Sequence, residues 1–133
     1  MRLTIAAGII AILGLSLAEF SILRKIKDVK PVYPPESLQV GDEGAFIIGL
    51  RVDASGAVQE AQILWSGCQR LEKAALAAVQ QWRYEHLVNG KPTAFQITTT
   101  VPFRLPPQLR SRAGRSGACK WKEPPKPIHA QSN

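Results

Sequence analysis

The chain is poor in the residues from which small catalytic and metal sites are built. It holds two histidines, His86 and His129, and two cysteines, Cys68 and Cys119. Two cysteines with no histidine pair near them make no zinc site, which needs four clustered donors. Ser66 precedes Gly67 but lacks the Gly-x-Ser-x-Gly frame of a nucleophile elbow, and Glu72 stands where a helix surface is expected. No acid/base pair or nucleophile–base set can be named, so no enzyme activity, cofactor or metal is expected. Apolar runs are scarce too. Only Leu3–Leu17 is long, broken by Thr4, Gly8, Gly14 and Ser16. At about 15 residues it is short for a membrane span and well sized for the apolar core of a signal.

What is present is an uneven charge distribution. The net charge is +7, but its regions differ. Residues 1–30 are basic through Arg2, Arg24, Lys25, Lys27 and Lys30, and residues 106–133 through Arg110, Arg112, Arg115, Lys120, Lys122 and Lys126. Residues 31–105 are nearly neutral, so the high pI describes two flanks rather than a charged face on a domain. Nucleic acid is therefore not an expected partner. Ser16-Leu17-Ala18 offers the small residues that signal cleavage after Ala18 requires. Residues 1–18 read as a cleaved signal peptide or as an uncleaved anchor over residues 3–18, and either places the rest in the periplasm. The basic residues after the apolar run outnumber Arg2, the reverse of the usual bias for an N-in, C-out segment. Cys68 and Cys119 are either an oxidised pair, natural in an exported chain, or two free thiols.

Between the flanks the hydrophobic pattern resolves into elements. Residues 19–30 read as a basic linker, and Pro31-Val32-Tyr33-Pro34-Pro35 as an extended lead-in to a helical turn over Glu36–Val40. Phe46, Ile48, Leu50 and Val52 alternate with their neighbours as a strand with one apolar face. Asp53-Ala54-Ser55-Gly56 supplies a turn, and Val58–Trp65 reads as the return strand. Ala61, Ile63 and Trp65 share a face there, with Val58 out of phase unless a bulge intervenes. Leu71, Ala74, Ala75, Ala78, Val79 and Trp82 fall on one face of a helix. His86 reads as a loop residue, followed by the turn Asn89-Gly90-Lys91-Pro92. Phe95, Ile97, Thr99, Val101, Phe103 and Leu105 then alternate with polar residues as a half-buried strand. Pro102 makes it an edge strand. From Pro106 the tail reads as disordered unless Cys119 anchors it.

The order of these signals resembles one family. Tyr33-Pro34, Val52-Asp53-Ala54-Ser55-Gly56-Ala57-Val58, Ser66-Gly67, Leu71 with Ala74-Ala75-Leu76, Trp82-Arg83-Tyr84, Asn89-Gly90-Lys91-Pro92 and Val101-Pro102-Phe103-Arg104-Leu105 are similar to the TonB C-terminal domain over residues 31–105. Glu85-His86-Leu87 stands where the family commonly has a proline. The resemblance implies an α+β fold of β-β-α-β order, a three-stranded antiparallel sheet with a helix packed on one face. It also implies a periplasmic module that pairs the edge of its last strand with a TonB-box-like peptide segment of an outer-membrane transporter. A second implied partner is the inner-membrane proton-channel complex that drives energy-dependent transport. Backbone direction alternates along a strand. If Pro102 turns its donorless nitrogen outward, Gln96, Thr98 and Thr100 present their backbones at the same edge. The alternative from another class is an envelope assembly module that self-associates, as a homodimer, by strand pairing. Full energy transduction by this chain alone is not expected, because residues 19–30 reach at most about 43 Å and the apolar run carries no histidine.

Overall fold

The computed structural model describes residues 18–126. The apolar run Leu3–Leu17 and His129 lie outside them. The main sheet is built from β2 (Gly44–Val52), β3 (Val58–Ser66) and β6 (Phe95–Phe103), all antiparallel in the order β3-β2-β6. Phe46, Ile48, Leu50 and Val52 point to one face and are buried. Their direct partners on β6 are Val101, Thr99, Ile97 and Phe95, so the apolar alternation of both strands lands on the same face. A 3-10 turn (Gln69–Leu71) leads into α2 (Glu72–Val79), preceded in the chain by the short helix α1 (Pro35–Val40). Leu71, Ala75, Val79 and Trp82 join the sheet's apolar face in the core. The small alanines bring the helix close to the sheet.

β3 departs from the simple alternation twice. Val52 pairs with Val58 while Arg51 pairs with Glu60, which makes Gln59 an extra residue. That bulge puts Val58 in phase with Ala61 and Ile63, and all three pack on the core. A second irregularity follows: Ile48 pairs with Ile63 but Ile47 with Trp65, so Leu64 is extra. Trp65 thereby sits opposite Ile47 on the outer face, a correction to the reading that grouped it with Ala61 and Ile63.

A second small sheet, in the order β1 (Ser21–Lys27), β4 (Arg83–Val88), β5 (Lys91–Pro92), has no counterpart in the three-stranded expectation. β4 and β5 are joined by Asn89 and Gly90, both at positive φ (51° and 81°), the geometry of a tight hairpin turn. His86 is thus a strand residue rather than a loop residue. Its Nδ1 lies 3.0 Å from the Thr93 carbonyl oxygen, and its ring packs edge-on against Phe95. β1 pairs along β4 from Ser21↔Val88 to Lys27↔Arg83. The stretch read as a basic linker is therefore largely folded. The two sheets meet at Gly56, whose carbonyl accepts the Tyr84 N–H; a Cβ at Gly56 would overlap the Tyr84 carbonyl oxygen. Across the junction Tyr84 packs edge-on against Phe95, with ring centroids 5.4 Å apart. Among the described residues, no helix is long and apolar enough to cross a membrane.

Residues 106–126 of the tail pack on the domain, and Cys119 anchors them, the condition under which the sequence allowed an ordered tail. A 3-10 turn spans Pro107–Arg112, and Gly114 N–H donates to the Gly41 carbonyl. Cys68 and Cys119 form a disulfide with Cα atoms 5.6 Å apart, and the Glu43 N–H donates to the Cys119 carbonyl. Beyond it the Arg104 guanidinium stacks on the Trp121 ring at 3.4 Å from the centroid.

Candidate functional site

The site is an unpaired edge. Among the described residues, β6 pairs with no strand but β2. Which of its backbone groups face outward follows from β2. The Ala45 carbonyl accepts the Gly67 N–H, and the Asp53 N–H donates to the Ala57 carbonyl. Odd-numbered residues of β2 therefore turn their backbone toward β3, and even-numbered ones toward β6. The β2–β6 register runs without a shift from Gly44↔Phe103 to Val52↔Phe95. Val101, Thr99, Ile97 and Phe95, opposite the even residues, spend their backbone groups on β2. Pro102, Thr100, Thr98 and Gln96, opposite odd residues, turn theirs to the open edge. Pro102 has no N–H to lose there. The Gln96, Thr98 and Thr100 side chains are exposed on the sheet's outer face, so side chain and backbone of the same residues are both accessible.

The sequence did not reveal the wall beside this edge. A groove of about 380 Å³ runs along Thr99–Arg104, and its far side is the segment from Lys25 to Tyr33. Three contacts hold that segment. The Trp82 indole N–H donates to the Val29 carbonyl at 2.9 Å, Lys25 sits 3.3 Å above the Trp82 ring, and Tyr33 packs edge-on against Phe103. The Tyr33 hydroxyl also donates to the Asp42 carbonyl. Burial, with Glu43 and Asp42 nearby, pushes its pKa well above the ordinary phenol range, so the hydroxyl keeps the proton it donates. Lys25, Lys30 and Arg104 line the groove against the single acid Asp28, which makes this end of the edge cationic.

A second polar cluster secures the end of the sheet. The buried Asp42 carboxylate receives two hydrogen bonds from Arg70, at 2.6 and 2.9 Å, and one from the Cys119 N–H at 2.8 Å. The hydrogen bond from Arg70 is the main reason its pKa falls to about 2. Glu43 accepts the Leu105 N–H at 2.8 Å, fixing the exit of β6. Asp42, Cys68 and Cys119 place ligating atoms within 4.8 Å of one another. The two sulfurs are bonded to each other and the carboxylate is occupied, so this donor set does not fit a metal ion.

The geometry defines a small α+β module in which β6 leaves a strand edge free beside a cationic groove. The chain matches the family described as Gram-negative bacterial TonB protein C-terminal over residues 29–105, and it belongs to that family. It is 34% identical over 77 residues to Protein TonB of Xanthomonas campestris pv. campestris strain B100, and equally to that of strain ATCC 33913. The match covers 56% of this chain and 34% of each relative, so the chain spans about a third of their length. It is also similar to the solution NMR structure of the Pseudomonas aeruginosa TonB CTD, with a TM-score of 0.56 and 27% identity, covering 62% of this chain and 86% of that one.

Proposed function

We propose that the open edge of β6 takes up an extended, TonB-box-like peptide segment of an outer-membrane transporter, with Gln96, Thr98 and Thr100 as the backbone docking register. The observation that supports this most is the outward direction of those three residues' N–H and C=O groups on a strand with no second neighbour. Such an edge adds a strand by backbone hydrogen bonds, while alternate side chains of the guest meet the groove and the outer face. The cationic end near Lys25, Lys30 and Arg104 favours a guest with an acidic residue there.

Family membership supports periplasmic work in transport. Energy transduction across the full periplasm by this chain alone is disfavoured. β1 takes up Ser21–Lys27, so only Ala18, Glu19 and Phe20 separate the apolar run from the folded part. A link to the inner-membrane proton-channel complex would therefore act at short range. The second reading is homodimeric self-assembly through the same edge, favoured by the uncharged side chains at Gln96, Thr98 and Thr100.

Proline scanning tests the docking edge. Thr98→Pro removes an outward N–H and should abolish binding of a transporter N-terminal peptide with little loss of stability. Thr99→Pro removes an N–H bonded to β2 and should destabilise the fold by about 3 kcal/mol or more. Undiminished peptide binding by a folded Thr98→Pro protein would sink the proposed register.

A further inference from the structure

β1 and the residue before it expose apolar side chains that no other element among the described residues covers. Phe20 and Ile22 are 66% and 38% exposed, and Ile26, the extra residue at a bulge in β1, is 59% exposed. Clustered exposure of this kind on a folded strand marks an interaction surface. The pairing shows how the face is composed. Tyr84 and His86 point inward, toward Phe95, so Arg83, Glu85 and Leu87 point outward. Their partners Lys27, Arg24 and Ile22 lie on the same outer face, as does Pro92 opposite Leu87. Phe20 continues this register, since its N–H and C=O both bond to Asn89. The outer face is thus an apolar end (Phe20, Ile22, Leu87, Pro92) and a basic end (Arg24, Lys27, Arg83). Its one acid, Glu85, is neutralised by Arg24 at 2.7 Å.

We propose that the outer face of the β1-β4-β5 sheet rests on an anionic lipid bilayer surface. Three observations select that occupant. The first is tether length: three peptide units join Leu17, the end of the apolar run, to Phe20. They reach about 11 Å at full extension, so a membrane-held run keeps this face at the interface. The second is chemistry, because aromatic and aliphatic side chains flanked by arginine and lysine suit the boundary between acyl chains and acidic headgroups. The third is what the strand disfavours. A second copy pairing antiparallel on β1 about its centre would set Arg24 against Arg24 and Lys27 against Ser21, and basic residues on an edge oppose such pairing. The same placement accounts for the basic residues after the apolar run, which serve a folded surface rather than a topology signal.

The test uses the full chain reconstituted in vesicles, with a p-benzoylphenylalanine photo-cross-linker at Leu87, distant in sequence from the apolar run. The same probe at Leu64, on the other sheet and 55% exposed, is the control. Irradiation in vesicles rich in phosphatidylglycerol should give lipid adducts at position 87 and few at 64. Adducts at 87 should fall several-fold in phosphatidylcholine, and also in the Lys27→Glu, Arg83→Glu double variant, since each basic residue at an anionic surface changes partition by roughly fivefold. Ile22→Ser should lower them independently of charge. No lipid adduct at 87, equal yield in both lipids, or a cross-linked second copy there would overturn the proposal. Peptide binding at β6 is a separate readout, so either idea can fail alone.

Discussion

Asp42 shows how a single buried carboxylate organises this end of the protein. Its oxygens gather Arg70, from the turn before α2, and Cys119, from the tail, onto the loop ahead of β2. Arg70→Ala leaves that charge buried with one donor remaining, and should cost about 3 kcal/mol in chemical denaturation. The pH dependence follows in sign. The Asp42 pKa is depressed, so its contribution, about 2 kcal/mol, is present above the ordinary carboxylate range and is lost as pH falls from about 4 toward 2. Denaturation midpoints measured down that range should drop in the native protein and much less in Asp42→Asn. The disulfide acts beside it. Replacing Cys68 and Cys119 together with serine should cost about 3–4 kcal/mol, from the loop it closes. It should also speed hydrogen exchange in Lys120–Lys126 before any loss in β2. The sequence left this pair open between bridge and free thiols, because connectivity depends on where Gly44 and the tail approach each other.

At the scale of elements, what was legible depended on how regular the strand was. β2 and β6 pair without a shift, so their alternation could be read directly onto two faces and onto the open edge. β3 could not be read to its end. The bulge at Gln59 was signalled by Val58 falling out of phase. The one at Leu64 leaves no such trace, because Ala61, Ile63 and Trp65 alternate well as written. The consequence is measurable: Trp65→Ala should cost less than about 1 kcal/mol, whereas Trp82→Ala, 4% exposed and bonded to Val29, should cost 3–5 kcal/mol. Equal costs would contradict the outward position of Trp65. The β1-β4-β5 sheet was missed for another reason. All seven residues of β1 are exposed, so it lacks the buried apolar stripe by which strands announce themselves, and Asn89-Gly90 registered as a turn without its hairpin.

For the whole molecule, the family match and the free edge of β6 both support the proposed use, in which the domain completes its sheet with a strand from another protein. Its two flanks are tied to the domain, one through β1 on β4 and the other through Cys119 and Trp121. The edge between them is left unpaired. Residue-resolved hydrogen exchange of the full chain, with and without a transporter N-terminal peptide, tests this most directly. Without peptide, Ile97, Thr99 and Val101 should exchange slowly and Gln96, Thr98 and Thr100 fast. With peptide, the second set should slow to match the first. Fast exchange at Gln96, Thr98 and Thr100 in the bound state, or slowing that follows protein concentration and ignores the peptide, would contradict the docking edge.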